Sequence, residues 1–162
     1  MASGELVRVG RGRYVLAGQQ LSENLGLALV AAAAPQAIIC LLSALQFHGI
    51  GTQSPREVWI AVDKNGSRPR LDHPPVRLAV FSGAAFTFGI ERHVIDGIRV
   101  KVYSAEKTVA DCFKFRNKVG LDVALEALRE GLRVKRFSRD SLWTAAKVCR
   151  VTTVIRPYLE VL

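Results

Sequence analysis

The sequence predicts an α+β fold in which a mixed or antiparallel sheet of four strands is packed by helices. Four β-rich runs stand together in the middle of the chain, and segments of helical periodicity precede and follow them. The third and fourth runs are joined through Asp96-Gly97, the strongest short hairpin signal in the chain. With 162 residues, 49% of them hydrophobic, the chain can bury a real core.

A β-hairpin is predicted at the start of the chain. In residues 6–16, LVRVGRGRYVL, two β-rich runs flank Gly10-Arg11-Gly12, whose glycines supply the positive φ of a tight turn. Three arginines are concentrated on it: Arg8, Arg11 and Arg13. Two interpretations are open: a winged helix-turn-helix wing whose cations contact the DNA backbone, or an edge hairpin whose charges keep it soluble.

Two helices are predicted between this hairpin and the strands. The first begins at the N-cap candidate Ser22, and Pro35 stops it. The second covers residues 36–48 and ends at Gly49 in the C′ position. His48 lies in its last turn, where a cation suits the helix dipole. A capping or core-edge role for His48 is favoured over a catalytic one.

The four predicted strands cover residues 57–62, 76–81, 91–95 and 98–103. A loop broken by prolines and glycine separates the first two strands, and an apolar connection at 86–89 precedes the third. The loop carries three cations: Lys64, Arg68 and Arg70. Together with the hairpin arginines, they are the candidate DNA-binding residues.

Residues 103–132 are predicted to close the last strand and to form two consecutive helices on the sheet. Ser104 caps the first helix, and Gly120 ends it. The helical spacing places one apolar stripe at Val109, Cys112 and Phe113, and an opposite, charged face at Lys107, Asp111 and Lys114. This face, extended along the chain, supplies the candidate partner-binding residues: Lys107, Asp111, Lys114, Arg116 and Lys118. The bland alternative for the first pair is an i, i+4 salt bridge that stabilises the helix.

Two further helices are predicted at the end of the chain. Ser138 caps a third helix that runs to about residue 150. Thr152 or Thr153 caps the last one, which Pro157 breaks or kinks.

Composition limits the class of protein. The net charge of +9 argues for a polyanionic partner or for solubility alone. Three widely spaced cysteines in apolar helical contexts predict reduced core residues of a cytoplasmic protein. No signal peptide is visible, and the apolar run 25–45 is better explained by two short helices, because Pro35 interrupts it.

Patterns of enzymatic chemistry are poorly supported, so we expect no enzyme, no metal and no cofactor. The histidines lack metal-ligand spacing, and neither a phosphate-binding loop nor a nucleophile elbow is present. One nuclease-like pattern consists of Asp96 followed by Arg99 and Lys101. It has Arg99 where a second carboxylate is needed, and arginine cannot ligate a metal ion. The pattern therefore fits at most a degenerate nuclease-like domain.

Four segments are similar to one family: residues 41–62, 67–83, 89–130 and 142–159. The longest contains YSAEKTVADCFKFRNKVGLDVALEAL, a distinctive motif. On these segments the chain resembles the AbiEi-type antitoxins, transcriptional regulators of type IV toxin–antitoxin (abortive infection) systems. Residues 10–14, GRGRY, match the family's turn in the wing.

The resemblance implies a two-part protein. Residues 1–18 would be the wing of a winged helix-turn-helix that lacks its first helices, and residues 19–162 a C-terminal α/β antitoxin domain. The implied function is that of an antitoxin and DNA-binding transcriptional regulator of its own operon. The implied partners are operator DNA and a cognate nucleotidyltransferase-like toxin. The alternative is a degenerate nuclease-like domain that acts only as a protein-interaction module.

Overall fold

The computed structural model of this chain describes residues 6–10, 13–16 and 24–162. Within them the fold is α+β, as predicted. The N-terminal hairpin is confirmed as an antiparallel pair of strands, β1 (Leu6–Gly10) and β2 (Arg13–Leu16), which form a sheet of their own. The predicted turn residues Arg11 and Gly12 lie outside the described residues, as does the N-cap candidate Ser22.

The main sheet has five strands, and the predicted number of four was wrong. In chain order they are β3 (Ile38–Ile39), β4 (Val58–Asp63), β5 (Val76–Phe81), β6 (Ile90–Ile95) and β7 (Ile98–Tyr103). Their spatial order is β5-β4-β3-β7-β6. The β4–β5 and β3–β7 pairs are parallel, while β3–β4 and β6–β7 are antiparallel, so the sheet is mixed.

The strand that the sequence analysis missed is β3, at the centre of the sheet. It lies between α1 (Leu25–Ala33) and α2 (Leu41–His48), where one longer helix over 36–48 was predicted. Ile38 and Ile39 instead pair with β4 and β7 and are 1% exposed. Hydrophobic periodicity cannot distinguish so short an apolar run from part of a buried helix. Here the backbone pairing with β4 and β7 makes the run a strand. As predicted, Gly49 ends α2 in a left-handed conformation, with φ 69°.

The remaining helices are α3 (Ala84–Thr87), α4 (Ala105–Lys114), α5 (Arg116–Val119), α6 (Leu121–Arg133), α7 (Arg139–Cys149) and α8 (Thr152–Glu160). The short helix α3 lies where an apolar connection was predicted. Two predicted caps are confirmed: the Ser104 hydroxyl accepts the Lys107 N–H at 3.3 Å, and Ser138 begins α7 with a capping box. The predicted cap of the last helix, Thr152 or Thr153, was wrong, because α8 begins at Thr152 with Val151 in the N-cap position. The last helix continues through Pro157 to Glu160.

Each face of the main sheet has its own core. On one face, Tyr103 and Phe81 pack with residues of α2, α4, α6, α7 and α8. On the other, Val100 and Val102 pack with α1. The three cysteines are free and buried, as predicted. Helix α4 belongs to the first core and packs there against α2, α6 and α7. It is therefore the central helix on that face of the sheet.

Candidate nucleic-acid interface

The predicted cations of the N-terminal hairpin lie on a sheet separate from the main one. Arg8 is on β1 opposite Tyr14, and Arg13 is on β2 opposite Gly10. Arg11 lies outside the described residues. Contact between these arginines and DNA stays a prediction.

The three predicted cations of the loop after β4 are not equivalent. The Arg68 guanidinium donates hydrogen bonds to the carbonyl oxygens of Asp63 and Gly66, both at 2.9 Å, and of Lys64 at 3.4 Å. It therefore closes the turn that ends β4. Lys64 and Arg70 are exposed, and no carboxylate of the described residues pairs with them. Those two cations remain available to an anionic partner.

Lys107 and Asp111 lie inside the core, so their assignment to a partner-binding surface was wrong, and the alternative of an i, i+4 salt bridge is confirmed. Both side chains are fully buried, and Lys107 Nζ lies 2.7 Å from Asp111 Oδ2. The ammonium also lies 3.8 Å from the ring centre of Tyr103 and 4.7 Å from that of Phe81. The Cys149 thiol donates to Asp111 Oδ1 at 3.2 Å. Because neighbours pack on α4 from several sides, the first two residues of its charged stripe face protein, while Lys114 at the end of the helix is exposed.

This buried pair is electrostatically self-contained. Burial raises the pKa of Asp111 to about 6, while the charge and hydrogen bond of Lys107 oppose that rise. The aromatic rings of Tyr103 and Phe81 supply the ammonium with further attraction through their π faces. Each polar atom of the pair has a partner, so its role is to hold α4 in the core.

The other partner-binding candidates lie at the far end of α4 and on α5. Arg116 donates to the Phe113 carbonyl oxygen at 2.8 Å and so caps the end of α4. Lys114 and Lys118 are exposed. The structure therefore leaves these three residues near one helix end and separates them from the buried Lys107–Asp111 pair.

A cationic face that the sequence analysis did not assign lies on the β6–β7 hairpin. Arg92 is directly opposite Lys101, and Val94 is directly opposite Arg99. Since opposite residues share one side of a sheet, all four side chains belong to the same face. We call the set Arg92, Arg99 and Lys101 the hairpin cations.

The hairpin cations lack compensation among the described residues. Arg92 and Arg99 are exposed, Lys101 is half-buried, and none has a carboxylate partner. Like charges directly opposite each other destabilise an antiparallel pair. Between the cations, Val94 is 72% exposed. The arrangement is costly to the isolated protein, and an anion on this face would relieve it.

The other side of the same hairpin is committed to packing and local contacts. Val100 and Val102 are buried beneath α1. His93 Nε2 and Glu91 Oε1 are hydrogen-bonded at 2.9 Å. Near its turn the β6–β7 hairpin is therefore two-sided, with one side built into the core and the other open and cationic. At the far end of β7, Tyr103 of the cationic side is buried in the first core.

A sequence signal for the hairpin cations exists. In a two-residue hairpin centred on Asp96-Gly97, residues equally distant from the turn face each other, so 92 faces 101 and 94 faces 99. The turn is confirmed by positive φ at both positions, 51° and 82°. The register follows from the turn. Among the sequence predictions, Arg99 and Lys101 belong only to the nuclease-like pattern.

The acid of the nuclease-like pattern lies at the turn between β6 and β7. Asp96 is at the tip of the hairpin, and the described part of the chain holds no group of three His, Cys, Asp or Glu residues able to bind a metal ion. His48 Nε2 donates to the Tyr103 carbonyl oxygen at 2.8 Å, which ties the end of α2 to β7.

Comparison with models of protein families gives no match, and no curated protein matches the chain. Among the described residues, every helix is too short or too polar to cross a membrane.

Proposed function

We propose that the chain is an antitoxin and DNA-binding transcriptional regulator of a type IV toxin–antitoxin operon. The motif at residues 103–128, with its likeness to the AbiEi-type antitoxins, supports the class. The hairpin cations, for which the described part of the chain supplies no carboxylate partner, are the observation that carries the DNA-binding part. The proposed partner of this face is the phosphate backbone of operator DNA.

Electrostatics favours a polyanion here over a single acidic group. Arg92 and Lys101 stand side by side, and Arg99 lies further along the same face, so the positive charge extends along the ribbon. Phosphates beside the ribbon would neutralise the cations and release counterions. Lys64, Arg70 and the N-terminal hairpin would add further backbone contacts.

The test is a fluorescence-anisotropy titration with the DNA upstream of the gene and with a scrambled duplex, at several salt concentrations. Replacing the three hairpin cations by alanine is expected to weaken binding by at least tenfold. The slope of log K against log salt should also flatten by about one for each lost phosphate contact.

A matched control removes three exposed cations elsewhere, Arg129, Arg133 and Lys147, and so changes the net charge equally. If both triple variants lose the same affinity, binding depends on net charge alone, and the hairpin face is not the interface. Binding of the upstream duplex over the scrambled one tests whether the protein is an operator-specific regulator.

The antitoxin part of the proposal requires neutralisation of a nucleotidyltransferase-like toxin in the cytoplasm, without catalysis by this chain. Growth rescue on co-expression with the neighbouring toxin gene measures it. Rescue that persists in the hairpin-cation variant would separate neutralisation from DNA binding. Failure of the unmodified chain to rescue growth would refute the antitoxin assignment.

The second candidate function is a degenerate nuclease-like domain that serves only as a protein-interaction module. The exposed Lys114 and Lys118 near the end of α4 favour it, because they form a small cationic surface away from the hairpin. Alanine at both positions is expected to weaken a purified toxin complex and leave DNA affinity unchanged. The opposite pattern would reject the interaction surface.

A further inference from the structure

The short central strand leaves a notch in the main sheet. Strand β3 has two residues, whereas its neighbours β4 and β7 have six each. Ile38 pairs with Ala61 on one side and with Lys101 on the other. Two residues further on, Asp63 and Arg99 have no strand between them, and the turn at residues 34–37 passes there instead. Two strand spacings separate Asp63 from Arg99, which is about 10 Å.

A cavity of about 540 Å³ lies on the Asp63 side of this notch. Its walls are largely apolar and include Val62, Pro69, Phe86 and residues 33–35. The Tyr103 hydroxyl donates to the Phe86 carbonyl oxygen and so anchors this wall. Volume and composition are those of a site for a small organic molecule.

Two polar side chains of the cavity are available to recognise such a molecule. Asp63 and Gln36 line it, and no hydrogen bond within the described residues engages either side chain. The Asp63 carboxylate is half-buried and can only accept hydrogen bonds. It would therefore select a ligand that presents N–H groups.

The cationic face adjoins this cavity. A second cavity of about 450 Å³ is lined by the hairpin cations and Val94, and it shares Pro35 with the first. An apolar slot with a hydrogen-bond acceptor therefore lies on one side of Pro35, and three cations that no described carboxylate pairs with lie on the other. The backbones of Asp63 and Arg99 are about 10 Å apart, so one small molecule with an apolar part and an anionic part could reach both.

We propose that the notch binds a nucleoside phosphate, with the base in the apolar cavity and the phosphate on Arg99 and Lys101. The flat apolar base would pack on Phe86, since aromatic side chains stack with any base. Guanine is the preferred base, because its N1–H and exocyclic amino group offer the Asp63 carboxylate two donors. The inference rests on the proposed role of the hairpin cations as phosphate ligands. A free nucleotide and an unpaired nucleotide of a nucleic-acid strand share this chemistry.

Calorimetric titration of the full chain with GMP, UMP and ribose 5-phosphate tests the proposal. GMP is expected to bind at least tenfold more tightly than UMP or ribose 5-phosphate. Asp63→Asn should remove the preference for GMP over UMP, because a hydrogen bond to a charged group is lost. Arg99→Ala should weaken GMP binding by fivefold or more, whereas the control Arg133→Ala should leave it unchanged. Thermal melts verify that each variant is folded.

Equal affinities for GMP and ribose 5-phosphate, or no effect of Asp63→Asn, would overturn the base site. If the base site is overturned in this way but salt-dependent binding of duplex DNA still depends on the hairpin cations, the proposed DNA-binding function stands. Only the nucleotide-binding inference then fails. A blunt duplex and one with a single unpaired 5′-phosphorylated guanosine separate the two sources. If the overhang duplex binds more tightly than the blunt duplex and Asp63→Asn removes the difference, the ligand is an unpaired nucleotide of a strand. If GMP binds but the two duplexes bind equally, the ligand is the free nucleotide.

Discussion

Removing one member of the buried Lys107–Asp111 pair should destabilise the fold severely, and removing both should not. Lys107→Met replaces the ammonium by an apolar group of similar length and leaves the Asp111 carboxylate in a site with no solvent exposure. The Cys149 thiol, a weak donor, is then its remaining side-chain partner. The double variant Lys107→Met/Asp111→Asn keeps both shapes and removes both charges.

The expected cost of the single substitution is about 3–5 kcal/mol, the range for breaking a buried ion pair by removing one partner. The loss of the ammonium over Tyr103 and Phe81 adds to it, at about 0.5–2 kcal/mol. A domain of this size has a total stability of about 5–15 kcal/mol. The double variant should recover most of the lost stability, because no uncompensated charge stays buried.

Urea denaturation at pH 7, followed by circular dichroism, measures both free energies of unfolding. A loss below about 1 kcal/mol in Lys107→Met would refute the reasoning, because the carboxylate would then have to be solvated, or protonated at little cost. A double variant no more stable than Lys107→Met would show that altered side-chain shape, and not the unpaired charge, causes the loss of stability.

The same pair determines a pH dependence. Burial raises the pKa of Asp111 in the folded chain to about 6, from an ordinary value of 3.8. Between these values the folded state binds more protons than the unfolded state, so this group's contribution to stability falls as the pH rises through that window. In Lys107→Met the pKa should rise further, and stability should recover on acidification.

Three further substitutions test other parts of the account. Arg92→Glu should stabilise the fold by about 0.2–1 kcal/mol, because the new carboxylate lies opposite Lys101. The same substitution should weaken DNA binding more than Arg92→Ala does. A lower free energy of unfolding would contradict the destabilising effect of the opposed Arg92 and Lys101 charges. Gly131→Ala should cost about 1–3 kcal/mol in urea denaturation, because its Cβ would lie 2.2 Å from Phe137 Cε2; an unchanged midpoint would mean that the ring moves freely. Ser138→Ala should cost about 1 kcal/mol through the lost cap of α7, and no change in melting would indicate that the cap is dispensable.

Part of the candidate site could have been predicted from the sequence. The Asp96-Gly97 turn determines the β6–β7 register, and that register alone places Arg92 opposite Lys101. The notch could not have been predicted, because it depends on β3 ending after two residues. Its lining comes from α1, the loop after β4 and α3, which are far apart in the chain. No spacing rule connects such segments.

The sequence by itself determined the features that local chemistry controls. Ser104 and Ser138 began helices because their hydroxyls accept nearby backbone N–H groups, and Asp96-Gly97 made a hairpin because both residues take positive φ. Only the tertiary structure decided the state of Ile38-Ile39 and the burial of Lys107 with Asp111. A two-residue strand exists only through partners on both sides, and a helix face is charged and exposed only if nothing packs on it. Helical spacing reports which residues share a face, but the neighbouring elements decide whether that face meets water.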